Sequence, residues 1–336
     1  MLLKIKSIIK PIWLNLRNIL YKILNKPEAI GVILMLHRVS DREVGRLKPN
    51  ENMKVSPNHL ASFIEAAMKK YEIIKLDDVP TWCHRKHNKP FMVFTMDDGY
   101  KDNYTNALPI FKKYNVPYTI FVTTNFPDRQ AILWWYILED LLLKHTEIIL
   151  SDGKIYPSST YEEKVSSFME IRSVILKLDQ LNLEEQLKEL FSHYNINWKS
   201  KCESLCLSWD EIEKLSLEPL VTIGGHTQHH YNLKQLKTKA EVKAEVKSGL
   251  DIFYSHMNFY PSVFAYPFGS ELEADIREFQ ALSEIEDLKL AVRSVGGFVT
   301  NKNFEESFSL PRLMFTDKMN LSDLNYFKGV FIKHLV

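Results

Sequence analysis

From residue 30 onward, short apolar runs alternate with stretches of helical periodicity. This alternation constrains the fold more than any other feature of the chain. The runs are Ile30–Leu36, Tyr71–Leu76, Phe91–Met96, Tyr118–Val122, Val221–Ile223, Val263–Tyr266 and Leu288–Val292. Between them lie amphipathic patterns. Leu60, Phe63, Ile64, Ala67 and Met68 follow Ser56 as N-cap and Pro57 at the first helical position. Val242, Val246, Leu250, Phe253 and Tyr254 form another such pattern. Strand–helix alternation implies parallel strands. Seven runs are enough for a closed or nearly closed barrel, with a doubly wound open sheet as the alternative.

Composition fits a folded α/β chain. The 336 residues are 45% apolar and 25% charged, near the averages for globular proteins. A formal net charge of +1 and that apolar share exclude a disordered chain, a fibre and a composition built around nucleic acid. The length suits about two domains, or one α/β barrel of roughly 250 residues or more. Cys83, Cys202 and Cys206 are too sparse for a disulfide scaffold, so a reducing compartment is expected. No apolar run approaches the roughly 18 residues of a membrane span. The longest, Ala131–Leu138, stops at Glu139 and Asp140 and reads as a buried helix.

Two segments break the rhythm. Residues 1–28 carry Lys4, Lys6, Lys10, Arg17, Lys22 and Lys26 against Glu28, with Leu2, Ile5, Ile9, Ile12, Leu16, Ile19 and Ile23 at helical steps. The pattern is a basic amphipathic helix, kinked or restarted at Pro11 and unlike a secretory signal. Two readings stay open: peripheral contact with an anionic membrane through residues 1–26, or docking on its own domain. Residues 127–205 start with LWWYILEDLLL and hold few strand candidates. They read as a helical insertion within a main domain spanning 29–336, packed on it or closing over it.

Chemistry collects where the strand candidates end. His37 follows the first run, Asp97 and Asp98 the third, His226 and His230 the fifth, and Pro267-Phe268-Gly269 the sixth. In a parallel barrel these project from the C-terminal face, where barrel active sites lie. Adjacent carboxylates repel unless a cation or shared proton compensates. Read alone, the Asp-Asp-Gly step is also a helix-capping turn. Two histidines four apart can meet one ion, with Gly224 and Gly225 allowing close backbone approach. An Asp with two His is a three-ligand set, and catalytic zinc keeps a fourth position for water.

FTMDDG resembles the T-F-D-D-G signature of polysaccharide deacetylases, the NodB-homology group of carbohydrate esterase family 4. IGGHTQHH is similar to that family's H-[ST]-x-x-H signature, and FAYPFG resembles its third motif, usually R-x-P-Y-G. MLHRV, the SP-x-x-L helix and the late LPR resemble a bacterial branch, so the likeness spans about residues 30–315. It implies a distorted (β/α)7 TIM-like barrel, in accord with the strand count. It further implies Asp98, His226 and His230 as metal ligands, Asp97 as general base, and the Phe268 backbone N–H as oxyanion donor. Tyr266 and Pro267 fall in the third motif and are candidate substrate contacts. The implied reaction is metal-assisted hydrolysis of an N-acetyl, less often O-acetyl, group on a sugar, with activated water as nucleophile. One divalent ion is expected. The ligand set suits Zn2+, and Co2+, Ni2+ or Fe2+ would also fit.

Three departures accompany the resemblance. Ala265 stands where the family has an arginine that orients the base, and Arg312 in LPR is a candidate substitute. The histidine of the usual L-x-H motif is absent; after Gly269 only His334 remains, and His37 is a candidate general acid. The gap from Asp98 to His226 is long, and its Trp134 and Trp135 are candidates for a sugar-stacking platform or for core. The expected substrate is an acetylated sugar of a surface glycan or its precursor, handled in the cytoplasm or at the inner membrane face. A hydrolase of a different amide and an inactive glycan-binding barrel are the competing readings. No nucleic-acid partner is expected.

Overall fold

The computed structural model describes residues 29–82 and 87–324. The basic pattern of residues 1–28, Cys83 and His334 lie outside the described residues. The first strand, β1 (Ala29–Leu36), is buried from Gly31 onward. Helix α1 (Pro57–Lys70) starts at Ser56, whose hydroxyl accepts from the His59 amide at 3.4 Å. Leu60, Phe63, Ile64 and Ala67 form its buried stripe, whereas Met68 is exposed. Strands β2 (Phe91–Met96) and β3 (Tyr118–Val122) are wholly buried and flank α2 (Leu108–Tyr114). Runs buried on both faces are what a helix-wrapped parallel sheet requires.

After β3 the chain leaves the barrel for α3 (Trp134–Lys144), α4 (Tyr161–Ile175) and α5 (Leu183–Leu190). An antiparallel hairpin, Glu147–Ile149 with Ile155–Pro157, lies between α3 and α4. This strand pair had no counterpart in the sequence reading. The segment has its own core, including Trp134, Leu138, Leu142, Ile148, Tyr156, Phe168 and Ile171. It is tied to the barrel at Glu139. That buried carboxylate accepts from Arg46 at 2.9 Å, from Asn50 at 2.8 Å and from the Leu47 amide.

The chain returns through α6 (Trp209–Ser216), β4 (Val221–Gly225), α7 (Lys239–Met257), β5 (Val263–Ala265), α8 (Ile276–Ser283) and β6 (Leu290–Arg293). Thr238 and Glu241 close a capping box at α7. In α7, Val242, Val246, Leu250 and Phe253 are buried, while Tyr254 is exposed.

The seventh barrel strand was not among the predicted runs. It is the segment Leu310–Met314, in two pieces either side of Arg312. The first piece, β7 (Leu310–Pro311), pairs parallel with β6, and the second, β8 (Leu313–Met314), pairs parallel with β1. This closes the ring β1-β2-β3-β4-β5-β6-β7/β8. The predicted run Tyr71–Leu76 yields only a two-residue strand, Glu72–Ile73, on the edge of β2. A further short strand, Val299–Thr300, pairs antiparallel with the start of β1.

Alternation along these strands sorts side chains into two layers. Ile33, Phe91, Val93, Phe121, Val263, Ala265, Leu290, Val292 and Leu310 cluster inside the barrel. Their neighbours Val32, Leu34, Met92, Phe94, Ile120 and Ile223 face the outer helices. Continuing the inner parity past each strand end brings His37, Asp97, His226, Ser294 and Arg312 to the same mouth. The fold thereby assembles the site before any specific interaction is considered.

Candidate active site and metal centre

Asp97 and Asp98 are consecutive, so a regular strand would send them to opposite faces. The backbone at Asp98 turns to φ 78°, in the left-handed region. Thr227 (65°), His230 (62°) and Phe268 (60°) share it. For residues with a Cβ this conformation is costly, and such strain concentrates at functional sites. Here it directs the Asp98 carboxylate and His230 imidazole to one point.

At that point the Asp98 Oδ1 atom lies 3.2 Å from His226 Nε2 and 3.1 Å from His230 Nε2. Among the described residues, Asp98, His226 and His230 are the trio whose donor atoms fall within 4.8 Å of one another. His226 Nδ1 donates to the Ala265 carbonyl at 2.7 Å. With Nδ1 so engaged, the singly protonated ring would turn a bare Nε2 toward a carboxylate that can only accept. A divalent cation satisfies this arrangement. Burial pushes the Asp98 carboxyl up, but His230 and His226 hold it well below the usual carboxylate range.

The loop after β4 is braced on both sides. Thr123 Oγ1 donates to the His226 carbonyl at 2.8 Å, and the His230 amide donates to Thr227 Oγ1 at 2.9 Å. Gly249 of α7 packs on this loop; a Cβ there would meet the Thr227 carbonyl carbon at 2.8 Å. The third histidine, His229, points elsewhere and is bound by Glu245 at 2.7 Å.

Asp97 is held separately. Arg312 reaches it in a two-point fork, Nη1 to Oδ1 at 2.6 Å and Nη2 to Oδ2 at 2.7 Å. Thr95 and Ser294 accept from the same guanidinium at 3.0 and 3.4 Å. Arg312 and Asp97 are both buried. Burial pushes the Asp97 carboxyl up, but Arg312 more than offsets this and keeps it below its ordinary value. His37 is half-buried, its Nδ1 has no partner, and burial lowers its imidazole below the usual range.

Phe268 sits across from these groups, its ring centre 4.7 Å from that of His230. Its backbone N–H has no hydrogen-bond partner among the described residues. Trp135 forms another wall, 5.2 Å from the His230 ring, with its Nε1 donating to Tyr100 Oη at 3.1 Å.

Several expectations need correction. Tyr266 does not face the site. It is fully buried on the outer layer, and its hydroxyl donates to the Phe308 carbonyl at 2.9 Å. The cause is parity: Ala265 faces inward, so its neighbour faces outward. Pro267 is buried, and its carbonyl accepts from the Gly269 amide at 2.6 Å. Trp134 is core and backs Phe268 at 6.4 Å between ring centres, whereas Trp135 reaches the His230 ring, so the two do not form one platform. Thr95, Ser294 and Tyr100 have no place in the sequence reading of the site, whereas Trp135 does. Strand parity could have found Thr95, two residues before Asp97. Cys202 and Cys206 are free and buried, packed with Tyr100 and Phe126. A cavity of about 500 Å³ lies at the other barrel end, lined by Val221, His256 and Tyr260, away from the trio.

The family model described as polysaccharide deacetylase matches residues 84–285. The chain belongs to the polysaccharide deacetylase family. It is accordingly a hydrolase of carbon–nitrogen bonds other than peptide bonds. Solved deacetylase structures share its fold. Streptococcus pyogenes deacetylase PplD in complex with acetate aligns at 17% identity with a TM-score of 0.56, covering 89% of this chain and 97% of that one. IcaB from Ammonifex degensii aligns at 13% identity and 0.56, covering 91% and 99%. The putative polysaccharide deacetylase BA0330 from Bacillus anthracis aligns at 16% and 0.55, covering 88% and 67%. No curated protein matches this deacetylase by sequence.

Proposed function

We propose that this deacetylase removes an N-acetyl, or less readily an O-acetyl, group from a sugar of a surface glycan or its precursor, with Zn2+ held by Asp98, His226 and His230. The observation that carries the reading is the division of labour between adjacent aspartates. Asp98 is turned onto two imidazoles, while Asp97 is gripped by Arg312 and kept ionised.

An ion held by that trio supplies Lewis acidity, polarising a carbonyl and lowering the pKa of water towards about 7 in zinc sites. The remaining roles fall to the chain itself. Asp97 accepts a proton from the attacking water, and the Arg312 fork fixes its carboxylate plane. The unpartnered Phe268 N–H is available to the oxyanion that develops on the acetyl oxygen. His37 stands at the same mouth. Burial lowers its pKa, and as general acid it would pass to the leaving nitrogen the proton that the attacking water gives up to Asp97. The competing reading of an inactive glycan-binding barrel rests on the missing arginine at position 265 and on the missing acid histidine, for which His37 is the candidate substitute. Arg312 supplies the arginine contact from another strand. Peripheral membrane contact through residues 1–26, and action at the inner membrane face, remain part of the proposal on sequence grounds alone.

Acetate release from a panel of acetylated sugars tests the reading. Wild-type protein reconstituted with Zn2+ should release acetate, and Asp97→Asn should lose at least a hundredfold in rate, within the typical range for a general base of about 10²–10⁴. Full activity in that variant would remove Asp97 from the mechanism.

A further inference from the structure

Helix α4 carries one arginine toward the site, and among the described residues it has no direct ion pair. The Arg172 guanidinium carbon lies 5.9 Å from the centre of the Phe268 ring, and that ring lies 4.7 Å from the ring of His230. Among the described residues, the guanidinium makes no hydrogen bond or ion pair. The acid that acts on it is Glu273. Glu273 accepts at one oxygen, Oε2, from the Ser270 amide at 3.1 Å and from the Ser270 hydroxyl, and makes no direct ion pair with Arg172.

Several cations around this segment have acidic partners. Arg46 pairs with Glu139 and Asp140, Lys201 with Asp140, and Lys188 and Lys199 with Glu184. Arg172 is half-buried, and burial pushes its guanidinium below the ordinary arginine value. The Phe268 ring and the field of Glu273 offset part of that desolvation, but among the described residues no acceptor meets the guanidinium N–H donors. A planar guanidinium is suited to one kind of ligand above others, an oxyanion met by two parallel N–H donors.

We propose that Arg172 recognises an oxyanion on the substrate, a phosphoryl or carboxylate group close to the acetyl-bearing sugar, so that the preferred substrate is an anionic amino sugar and not a neutral glycan. The inference rests on the sugar-deacetylation reading above and narrows its substrate class. It also gives residues 127–205 a task, since Arg172 is the cation found over the Phe268 ring among the described residues. Phe268 would then stand between two halves of one substrate, with the acetyl group on its His230 side and the anion on its Arg172 side.

The test compares kcat/KM for three probes: N-acetylglucosamine 1-phosphate, an acetylated disaccharide ending in glucuronate, and the neutral methyl glycoside of N-acetylglucosamine. The wild type should prefer at least one anionic probe over the neutral one by tenfold or more. In Arg172→Gln that ratio should fall to near one, and Arg172→Lys should retain part of it. Met169→Gln, an exposed change on the same helix, should keep the wild-type ratio. Preference for the phosphate or for the uronate says which oxyanion is read, and either sustains the proposal. A wild-type ratio near one, or an unchanged ratio in Arg172→Gln, overturns it. If the wild type released acetate from none of the probes, the deacetylation reading would be what failed. Calorimetric binding of the two anionic probes would then decide the Arg172 assignment. Tenfold weaker binding of either in Arg172→Gln sustains it, and equal affinity for both overturns it.

Discussion

Arg312 holds both carboxylate oxygens of Asp97, at 2.6 and 2.7 Å, from a strand that lies far from it in sequence. The two residues reach each other because Leu310–Met314 closes the barrel between β6 and β1, with Arg312 at an inward position. A charge pair of this kind is costly to break, about 3–5 kcal/mol when one partner is removed from a buried site. Its geometry also sets how the base behaves with pH.

The first prediction concerns that geometry. Arg312→Lys keeps a positive charge but loses the fork, and kcat should fall by about 10- to 100-fold, one to two steps of 1.4 kcal/mol in the barrier. The pH profile should move as well. Arg312 lowers the pKa of Asp97, and the base works only when ionised. Weakening the fork raises that pKa, so the acid limb of kcat/KM should shift to higher pH. A variant with reduced kcat but an unmoved acid limb would mean that Arg312 acts on the fold and not on the base.

A second prediction follows from position 265. Ala265 lies inside the barrel with Val263 and Val292, where Arg312 already fills the space over Phe121. Adding arginine by Ala265→Arg alone should overpack the interior, costing about 1–3 kcal/mol of stability without raising activity. Combined with Arg312→Ala it should recover at least tenfold over Arg312→Ala alone. Denaturation curves and acetate release on the four proteins check both statements. No recovery in the double variant would mean that the two positions cannot exchange the role.

The third prediction tests the attachment of residues 127–205. Glu139 is buried and accepts from Arg46, Asn50 and the Leu47 amide. Glu139→Gln keeps the shape but removes the charge that these donors surround. It should destabilise the protein by about 1–3 kcal/mol in urea denaturation, since hydrogen bonds to charged groups are the stronger ones. Bound metal should be retained, because none of the trio touches Glu139. Loss of metal in this variant would show that the segment shapes the trio directly.

The sequence was readable where burial and periodicity act together. Six of the seven predicted strand runs are barrel strands, because a parallel strand covered on both faces is a continuous apolar run. Tyr71–Leu76 is interrupted by Glu72 and Lys75 and pairs only at the edge of β2. Leu310–Met314 escaped notice because a buried arginine and a proline interrupt a very short strand. Side-chain direction was harder to read. Tyr266 was given a site role from its place in a motif, although strand alternation sends it outward once Ala265 is inward. Trp134 and Trp135, adjacent on a helix, point about 100° apart, so the two rings cannot share one platform. The Asp98 turn and the unpaired Arg172 depend on backbone conformation and on long-range packing, which composition does not encode.

Chelation gives a fourth prediction. Removing the ion should abolish acetate release and lower the melting temperature, because ligand binding to the folded state adds to its stability. Adding Zn2+ back should restore both. Activity that survived exhaustive chelation would exclude the proposed role of the trio.

Metal stoichiometry in the wild type, His226→Ala and Asp97→Asn, measured by elemental mass spectrometry, tests the central claim most directly. The account predicts about one ion per chain in the wild type and in Asp97→Asn, and none in His226→Ala. It also predicts that Asp97→Asn, although loaded, releases little acetate. Wild-type protein that stayed metal-free after reconstitution with Zn2+ and Co2+, or His226→Ala that bound as much as the wild type, would contradict it.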